Sequence, residues 1–257
     1  LLKIGRETIY VADLEPGDVG ENAAAIRIAR AAMGSGIRLT GPVVGRANLL
    51  ATVLGVLRVD TQQVARLNQC SGVTLATLSN HLGIHPPKLI ATVKIIPFAV
   101  PATVVQKAEQ IATENGPLIE ISALPSRVTT LILTGSPAVR DRITADFEPP
   151  LRARLAALNS RIQSVEFVNL EEDNGEVALA ATITRQISGG AELLVLAGET
   201  AIVDQDDIAP RAIARAGGKV VCYGVPVDPG NLLLLGYLDS VPILGAPGCI
   251  RSQKTNV

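Results

Sequence analysis

The sequence is poor in aromatic residues and has no strongly basic region. It contains no tryptophan, and aromatic residues make up only 2% of its 257 positions. The formal net charge is -1. A nucleic-acid binder draws affinity from basic residues at the phosphates and from aromatic rings that stack on bases. We therefore expect no nucleic-acid partner.

Cysteines are few, and long apolar runs are missing. The most apolar stretch, residues 89 to 105, is interrupted by a lysine and two prolines, so we expect no membrane span. The sequence starts at Leu1 without a basic and apolar leader, and we expect a segment of a longer protein, not a secretory precursor. The cysteines fit neither a disulfide framework nor a zinc spacing, which favours a reducing cytoplasm. They are Cys70, Cys222 and Cys249.

Several well-known catalytic and phosphate-binding patterns are also missing. The sequence has neither the GxxxxGK[ST] motif of a P-loop nor the GxGxxG motif of a dinucleotide-binding turn. Its two histidines, His81 and His85, both lie in the first half, so the second half cannot hold a Ser-His-Asp triad of its own. Any chemistry in the second half must come from other residue types.

Apolar residues reach 47% of the sequence and are mostly aliphatic, which suits a core built from strand and helix layers. Short β-rich runs alternate with helical windows throughout, so we predict an α/β fold. The length fits two modest domains. Pro125 restricts the chain just before a new apolar strand, so we place the boundary there. The prediction is a smaller α/β or α+β domain at 1–124 and a second domain at 125–257.

The first domain offers no motif that we can assign to chemistry. Its apolar periodicity predicts strands and helices that follow one another from residue 8 to residue 122. The predicted strands are 8–12, 37–39, 89–100 and 118–122, and the predicted helical segments are 21–33, 48–57, 61–68 and 101–114.

The second domain alternates regularly between predicted strands and predicted helices. Strands are predicted at 128–133, 165–168, 193–197 and 220–223, with a helical window after each of the first three. Such alternation favours a three-layer α/β/α domain with a mostly parallel sheet. Ligands bind beyond the carboxyl ends of such strands. The loops after Leu133, Ala197 and Tyr223 are therefore the candidate site.

The first of these loops consists of Thr134, Gly135, Ser136 and Pro137. Ser136 fits the N-cap of a helix, and Pro137 fits its first residue. Capping is a sufficient explanation for this composition, although amides at such a turn also suit an anion.

The second loop runs from Gly198 and Glu199 to Asp207 and carries three aspartates just before a predicted helix. Carboxylates there complement the helix dipole. One or two would be enough for that purpose, and the surplus suits Mg²⁺, which prefers oxygen ligands. Asp204 and Asp207 are the candidate metal ligands, and Asp207 is the candidate catalytic residue.

Two rigid turns complete the candidate site. The segment from Pro226 through Asp228 and Gly230 to Asn231 has two prolines that fix φ, so it can hold amides and a carboxylate in one geometry, although it is also explained as a tight turn. The segment from Pro247 and Gly248 to Ser252 is similar, and its Arg-Ser pair could meet a phosphate.

These loops resemble, in order and spacing, the molybdopterin-binding family of molybdenum-cofactor biosynthesis. Members share a strand ending in Thr-Gly, matched by Thr134-Gly135, and a Gly-rich loop running to an Asp before a helix, matched by 198 to 207. They also share a Pro-x-x-Pro-Gly turn, matched by 226 to 230, and a Gly-x-Pro-Gly turn, matched by 245 to 248. The resemblance covers residues 128 to 257. It implies that molybdopterin, a pterin that carries a phosphate, contacts residues of these loops, namely Thr134, Gly135, Ser136, Gly198, Glu199, Thr200, Asp204, Pro226, Asp228, Gly230, Asn231, Pro247, Gly248 and Ser252.

A closer likeness extends over nearly the whole chain. The runs at 45–49, 91–98, 226–233 and 247–249 are similar to a bacterial group in which this region is joined to a domain like CTP:molybdopterin cytidylyltransferase. The resemblance implies a carboxyl-terminal or separate nucleotidyltransferase as partner, and we expect a homo-oligomer.

The second loop departs from the family in one respect. Adenylyltransferases of the family have Gly-Gly-Thr-Gly where this chain has residues 199 to 202, so Glu199 and Thr200 stand where bare backbone would approach a phosphate. We therefore expect no adenylyl transfer by this chain.

Three functions follow from the resemblance. The first is a module that binds molybdopterin and presents it for nucleotidyl transfer. The second is a complete enzyme that uses ATP or CTP, or that inserts molybdate. The third is a regulator that senses the cofactor. An enzyme needs a nucleotide beside the aspartates, whereas a presenting module needs only the pterin.

Overall fold

The computed structural model describes residues 5, 8, 11, 13–170, 174–199, 202, 204 and 206–252. Most of the strand predicted at 8–12 and Thr200 of the second loop lie outside these ranges. The chain divides into two compact units, Leu1–Leu124 and Pro125–Val257.

The first unit is an α+β assembly whose described strands pair antiparallel. The sheet orders are β1-β8, β2-β3-β7-β5 and β6-β4-β9. Its core is aliphatic and includes buried faces of α1 and α3. In chain order the elements are β1 (Asp18–Gly20), α1 (Glu21–Ala32), β2 (Ile37–Val43), β3 (Arg46–Ala51), β4 (Gly55–Val59), α2 (Thr61–Leu67), β5 (Val73–Thr77), β6 (Gly83–Ile84), β7 (Leu89–Ile95), β8 (Ala99–Pro101), α3 (Ala102–Thr113) and β9 (Ile119–Ala123).

The helix predicted at 48–57 is wrong, because this segment forms most of β3 and the start of β4. Its apolar residues at 49, 50, 53, 54 and 57 imitate helical spacing. In the fold, burial alternates along β3, with Ala47, Leu49 and Ala51 inside. The strand predicted at 89–100 is likewise two strands, β7 and β8, separated by a segment that contains Pro97.

The second unit has a six-stranded sheet that is largely parallel. The strand order is β11-β10-β12-β15-β14-β13, and within it β14 runs opposite to its neighbours. The elements are β10 (Val128–Gly135), a 3-10 helix (Pro137–Val139), α4 (Arg140–Ala157), β11 (Arg161–Asn169), α5 (Gly175–Ser188), β12 (Leu193–Gly198), α6 (Ile208–Arg215), β13 (Lys219–Tyr223), β14 (Leu234–Leu238), β15 (Val241–Gly245) and a 3-10 helix (Gly248–Arg251).

Helices cover both faces of this sheet. Helix α4 packs on one face through Ile143, Phe147 and Leu151. Helices α5 and α6 pack on the other face, where Leu179 and Ile213 are fully buried. The α/β fold class and the α/β/α layering predicted from the alternation are confirmed.

The order of the strands could not be read from the alternation. The hairpin of β14 and β15 inserts between β12 and β13, so β13 is an edge strand. The loop after Tyr223 therefore lies three strand positions away from the loop after β12.

In the part of the chain that the structure describes, no helix is long and apolar enough to cross a membrane.

Candidate functional site

The candidate site lies where the chain connections diverge at the carboxyl ends of β10 and β12. These strands are parallel neighbours, with Thr134 opposite Gly198. The chain leaves β10 towards α4 on one face of the sheet and leaves β12 towards α6 on the other face. Neighbouring loops that lead to opposite faces of a sheet leave a crevice between them. Ligands usually bind in such a crevice in open α/β sheets.

Two glycines allow the strand ends to lie close together at this crevice. A Cβ atom on Gly198 would clash with Thr134 Oγ1 and would lie 2.7 Å from the Thr134 carbonyl oxygen. A Cβ atom on Gly135 would lie 2.9 Å from Ile143 Cδ1 and 3.2 Å from Glu199 Cβ. The Thr-Gly and Ala-Gly strand endings thus have a packing reason that is independent of any ligand.

A cavity of about 110 Å³ opens at this point. Such a volume is well below the roughly 300–1,000 Å³ that is typical of ligand pockets. It can take one part of a ligand, while the remainder would lie in the crevice outside. The lining is mostly aliphatic, with Thr134 and Asp207 as its polar side chains, and consists of Thr134, Leu170, Leu179, Leu196, Ala197, Gly198, Ile202, Asp207, Ile208, Ala209 and Ala246.

Glu199 folds back over the turn that follows β10. Its backbone N–H donates to the Thr134 carbonyl at 2.9 Å. Its Oε2 atom accepts the backbone N–H of Ser136 at 3.2 Å, and its Oε1 atom lies 3.8 Å from a guanidinium nitrogen of Arg142. Ser136 is the N-cap of the following 3-10 helix, and its side chain makes no capping hydrogen bond. The chain therefore supplies its own anion at the position where a phosphate was expected.

The aspartates of the second loop hold that loop in shape. Asp207 Oδ2 accepts the backbone N–H of Asp204 at 3.0 Å, and Asp204 Oδ1 accepts that of Asp206 at 2.7 Å. Asp207 occupies the N-cap position of α6, but its side chain makes no capping hydrogen bond. Among the described residues, no group of three or more His, Cys, Asp or Glu side chains converges as a metal site. Mg²⁺ binding by Asp204 and Asp207 stays a prediction.

Ile202 of the second loop contacts residues of β13 and β15, and it was not singled out from the sequence. The hydroxyl of Tyr223 donates to the Ile202 carbonyl at 3.4 Å. The Ile202 side chain lies over Gly245, where an added Cβ would be 2.6 Å from Ile202 Cδ1. No chemical signal in the sequence distinguishes Ile202, Leu170 or Ala246 from ordinary core residues.

The segment Pro226 to Asn231 belongs to a hairpin loop between β13 and β14. Val225 N–H donates to the Asn231 carbonyl, and Leu233 N–H donates to that of Gly230, so the loop is closed by its own backbone. Asp228 is exposed within it. At about 4.8 Å per strand, β13 lies roughly 14 Å from β12 along the sheet. The loop shares the sheet edge with the cavity but does not line it.

The segment after β15 leaves the cavity and packs against α4. Ala246 lines the cavity and donates its N–H to the Leu196 carbonyl at 2.7 Å. Arg154 of α4 then donates to the carbonyls of Ile250 at 2.8 Å and Ser252 at 2.6 Å. The guanidinium of Arg251 lies over the Phe147 ring, 5.5 Å from its centre. Pro247, Gly248 and Ser252 are thus not among the residues that line the cavity.

An ion-pair network holds together the two helices that contribute to the cavity wall. Glu176 in the first turn of α5 accepts from Arg215 at 2.6 Å and lies 3.1 Å from Arg211, both on α6. The hydrogen bond from Arg215 and the charges of both arginines hold the pKa of Glu176 below its usual 4.5, although partial burial opposes this. The network therefore stabilises the position of α5 against α6.

Comparisons with known proteins give a distant structural likeness. No protein-family model matches the chain, and no curated protein is significantly similar to it. Among solved structures, the chain is similar to a molybdopterin biosynthesis moea protein from Pyrococcus horikosii. The two share 13% sequence identity with a TM-score of 0.33, over 90% of this chain and 74% of that one. Likeness at this level assigns neither a ligand nor a reaction to this chain.

Proposed function

We propose that the second unit binds molybdopterin, a pterin that carries a phosphate, in the crevice at the ends of β10 and β12, and presents it for nucleotidyl transfer. One observation carries the proposal. Thr134, Gly198 and Asp207, which are central to the family resemblance, line a single cavity at the topological switch point of the sheet. Sequence motif and fold geometry thus point to the same place.

The chemistry of the lining supports a flat heterocycle better than a highly charged group. Leu170, Leu179 and Ile202 offer aliphatic surface for the faces of a ring. The Thr134 hydroxyl and the Asp207 carboxylate offer hydrogen bonds at its edge. Because the cavity holds only part of a ligand, the phosphate end of the pterin would lie in the open crevice.

The charges around the crevice favour a presenting module over a complete enzyme. The described residues that line the cavity include no lysine or arginine. Glu199, Asp204, Asp206 and Asp207 concentrate negative charge on one loop, which would repel the three phosphates of ATP or CTP more strongly than the single phosphate of the pterin. The nucleotidyltransferase partner and the homo-oligomer stay predictions.

A cavity-filling substitution tests the proposal. Ala209→Leu places three further carbon atoms in the cavity, and we expect the affinity for molybdopterin to fall about tenfold or more. Ala214→Leu is the matched control, because it makes the same change on the same helix at an exposed position outside the cavity. Titration followed by pterin fluorescence measures both. Equal affinities in the two variants would contradict binding at this site.

A second substitution tests the role of Mg²⁺. In Asp207→Asn the side chain keeps an oxygen that can accept the Asp204 N–H, so we expect the melting temperature to change little. Loss of the charge should abolish any part of the molybdopterin binding that depends on Mg²⁺. Such a loss would favour the complete enzyme over the presenting module. If instead the melting temperature drops and Mg²⁺-dependent binding persists, Asp207 has only a structural role.

A further inference from the structure

We infer that Glu199 determines the ligand specificity of the crevice. Its carboxylate acts as an internal anion that excludes phosphate from the turn after β10 and selects a ligand that presents N–H donors there. The inference rests on the proposed function, because it states which end of the pterin faces this turn.

The contacts of Glu199 place the carboxylate at the turn. The backbone N–H of Glu199 is held by the Thr134 carbonyl at 2.9 Å, which fixes the start of the side chain beside β10. From there Oε2 reaches the Ser136 N–H at 3.2 Å, and Oε1 lies 3.8 Å from Arg142. The Ser136 N–H is thus already hydrogen-bonded by the chain, and the Arg142 guanidinium already faces a carboxylate of the chain.

Exposure and charge determine what can bind next to this carboxylate. The Glu199 side chain is 36% exposed, so a ligand in the crevice can reach it. A phosphate would have to approach this carboxylate at close range, where the like charges repel each other. An amino group and a neighbouring ring N–H, such as those on the pyrimidine edge of a pterin, can instead form two parallel hydrogen bonds to it. The pterin ring, and not its phosphate, therefore faces the turn.

The test compares two simple probes on the full chain, inorganic pyrophosphate and unphosphorylated pterin. The variants are Glu199→Gln, which removes the charge, and Glu199→Gly, which removes the side chain. Glu192→Gln is the matched control, because Glu192 Oε2 also accepts a backbone N–H, from Val128 at 2.8 Å, next to the start of β10 and away from the crevice. Calorimetry measures pyrophosphate binding, and fluorescence measures pterin binding.

We expect both Glu199 variants to bind pyrophosphate about tenfold more tightly than the unsubstituted chain, and to bind pterin about tenfold more weakly. Glu192→Gln should match the unsubstituted chain with both probes. Affinities of the Glu199 variants within about twofold of the unsubstituted chain would overturn the inference. If pyrophosphate binding improves but the unsubstituted chain binds neither pterin nor molybdopterin, then exclusion of anions stands while the proposed function and the selection of N–H donors fail.

Discussion

At the residue scale, the crevice depends on glycines whose missing side chains let two strand ends touch. Gly198 lies against both the hydroxyl and the carbonyl of Thr134. Because β10 and β12 are central strands with buried side chains on both faces, neither can shift without disturbing the core. The close approach of the two strand ends thus depends on the absence of a side chain at Gly198.

We predict that Gly198→Ala destabilises the chain by about 1–3 kcal/mol, since the added methyl group forces β10 and β12 apart. Urea denaturation measures the free energy of unfolding. Gly248→Ala is the control, because its Cβ would meet only the Arg251 guanidinium, at 3.7 Å, and it should change stability by less than about 0.5 kcal/mol. Equal effects of the two substitutions would show that the strand ends can adjust.

The sequence predicts some residues of the site and not others. Thr134 and Gly198 lie at the ends of strands, Asp207 directly precedes α6, and all three line the cavity. Leu170, Ile202 and Ala246 line it too, but aliphatic residues look the same in a cavity wall and in a core. Glu199 is noticeable in the sequence because it stands where the resembled Gly-Gly-Thr-Gly motif has a glycine. Its contact with Ser136 depends on the pairing of β10 with β12, which sequence periodicity does not specify.

At the element scale, the packing of α5 on α6 is supported by charge as well as by apolar contact. Glu176 connects the first turn of α5 to Arg211 and Arg215 on α6. The pKa of Glu176 is lowered in the folded chain, so the ionised form is favoured by folding. The stability that this lowered pKa contributes is fully present at pH values above the pKa of Glu176 in the unfolded chain. It is lost as the pH falls through the lower pKa of Glu176 in the folded chain.

We therefore predict that Glu176→Gln makes the melting temperature less sensitive to acid. Between neutral pH and a pH below 4.5, the unsubstituted chain should lose more stability than the variant. Asp228→Asn is the control, because it makes the same kind of change in the exposed loop between β13 and β14, and it should lose as much stability in acid as the unsubstituted chain. Parallel pH profiles for all three proteins would mean that the network adds nothing to stability.

Element type was predicted correctly for the long helices and wrongly for the segment that forms most of β3 and the start of β4. The helices at 21–32, 102–113 and 175–188 extend over three turns or more, and each has one buried face. Strands β3 and β4 have only a few residues each, and their apolar positions also fit a helix. Whether such a segment forms a strand or a helix depends on the strands that it can pair with. A local sequence pattern does not show which strands those are.

At the scale of the whole molecule, the two units have separate cores. The core residues of the second unit all come from the range that starts at Pro125. The restriction that Pro125 imposes on its neighbour was visible in the sequence. The insertion of the β14–β15 hairpin beside β12 was not, because nothing local to residues 231–245 specifies which strand they pair with.

We predict that residues 125–257 alone unfold in one cooperative transition and bind molybdopterin within about threefold of the full chain. The physical reason is that the cavity and its supporting core lie entirely in this unit. Calorimetry and fluorescence titration measure the two quantities, with residues 1–124 as the control that should not bind. Cooperative folding with complete loss of binding would mean that the first unit contributes to the site.

The most direct test of the central claim is a crystal structure of the full chain with bound molybdopterin. The account predicts that the pterin contacts Thr134, Gly198 and Asp207 at the carboxyl ends of β10 and β12, with its ring edge towards Glu199 and its phosphate away from the Ser136 amide. A pterin bound in the first unit, or elsewhere in the second unit with the crevice empty, would contradict it.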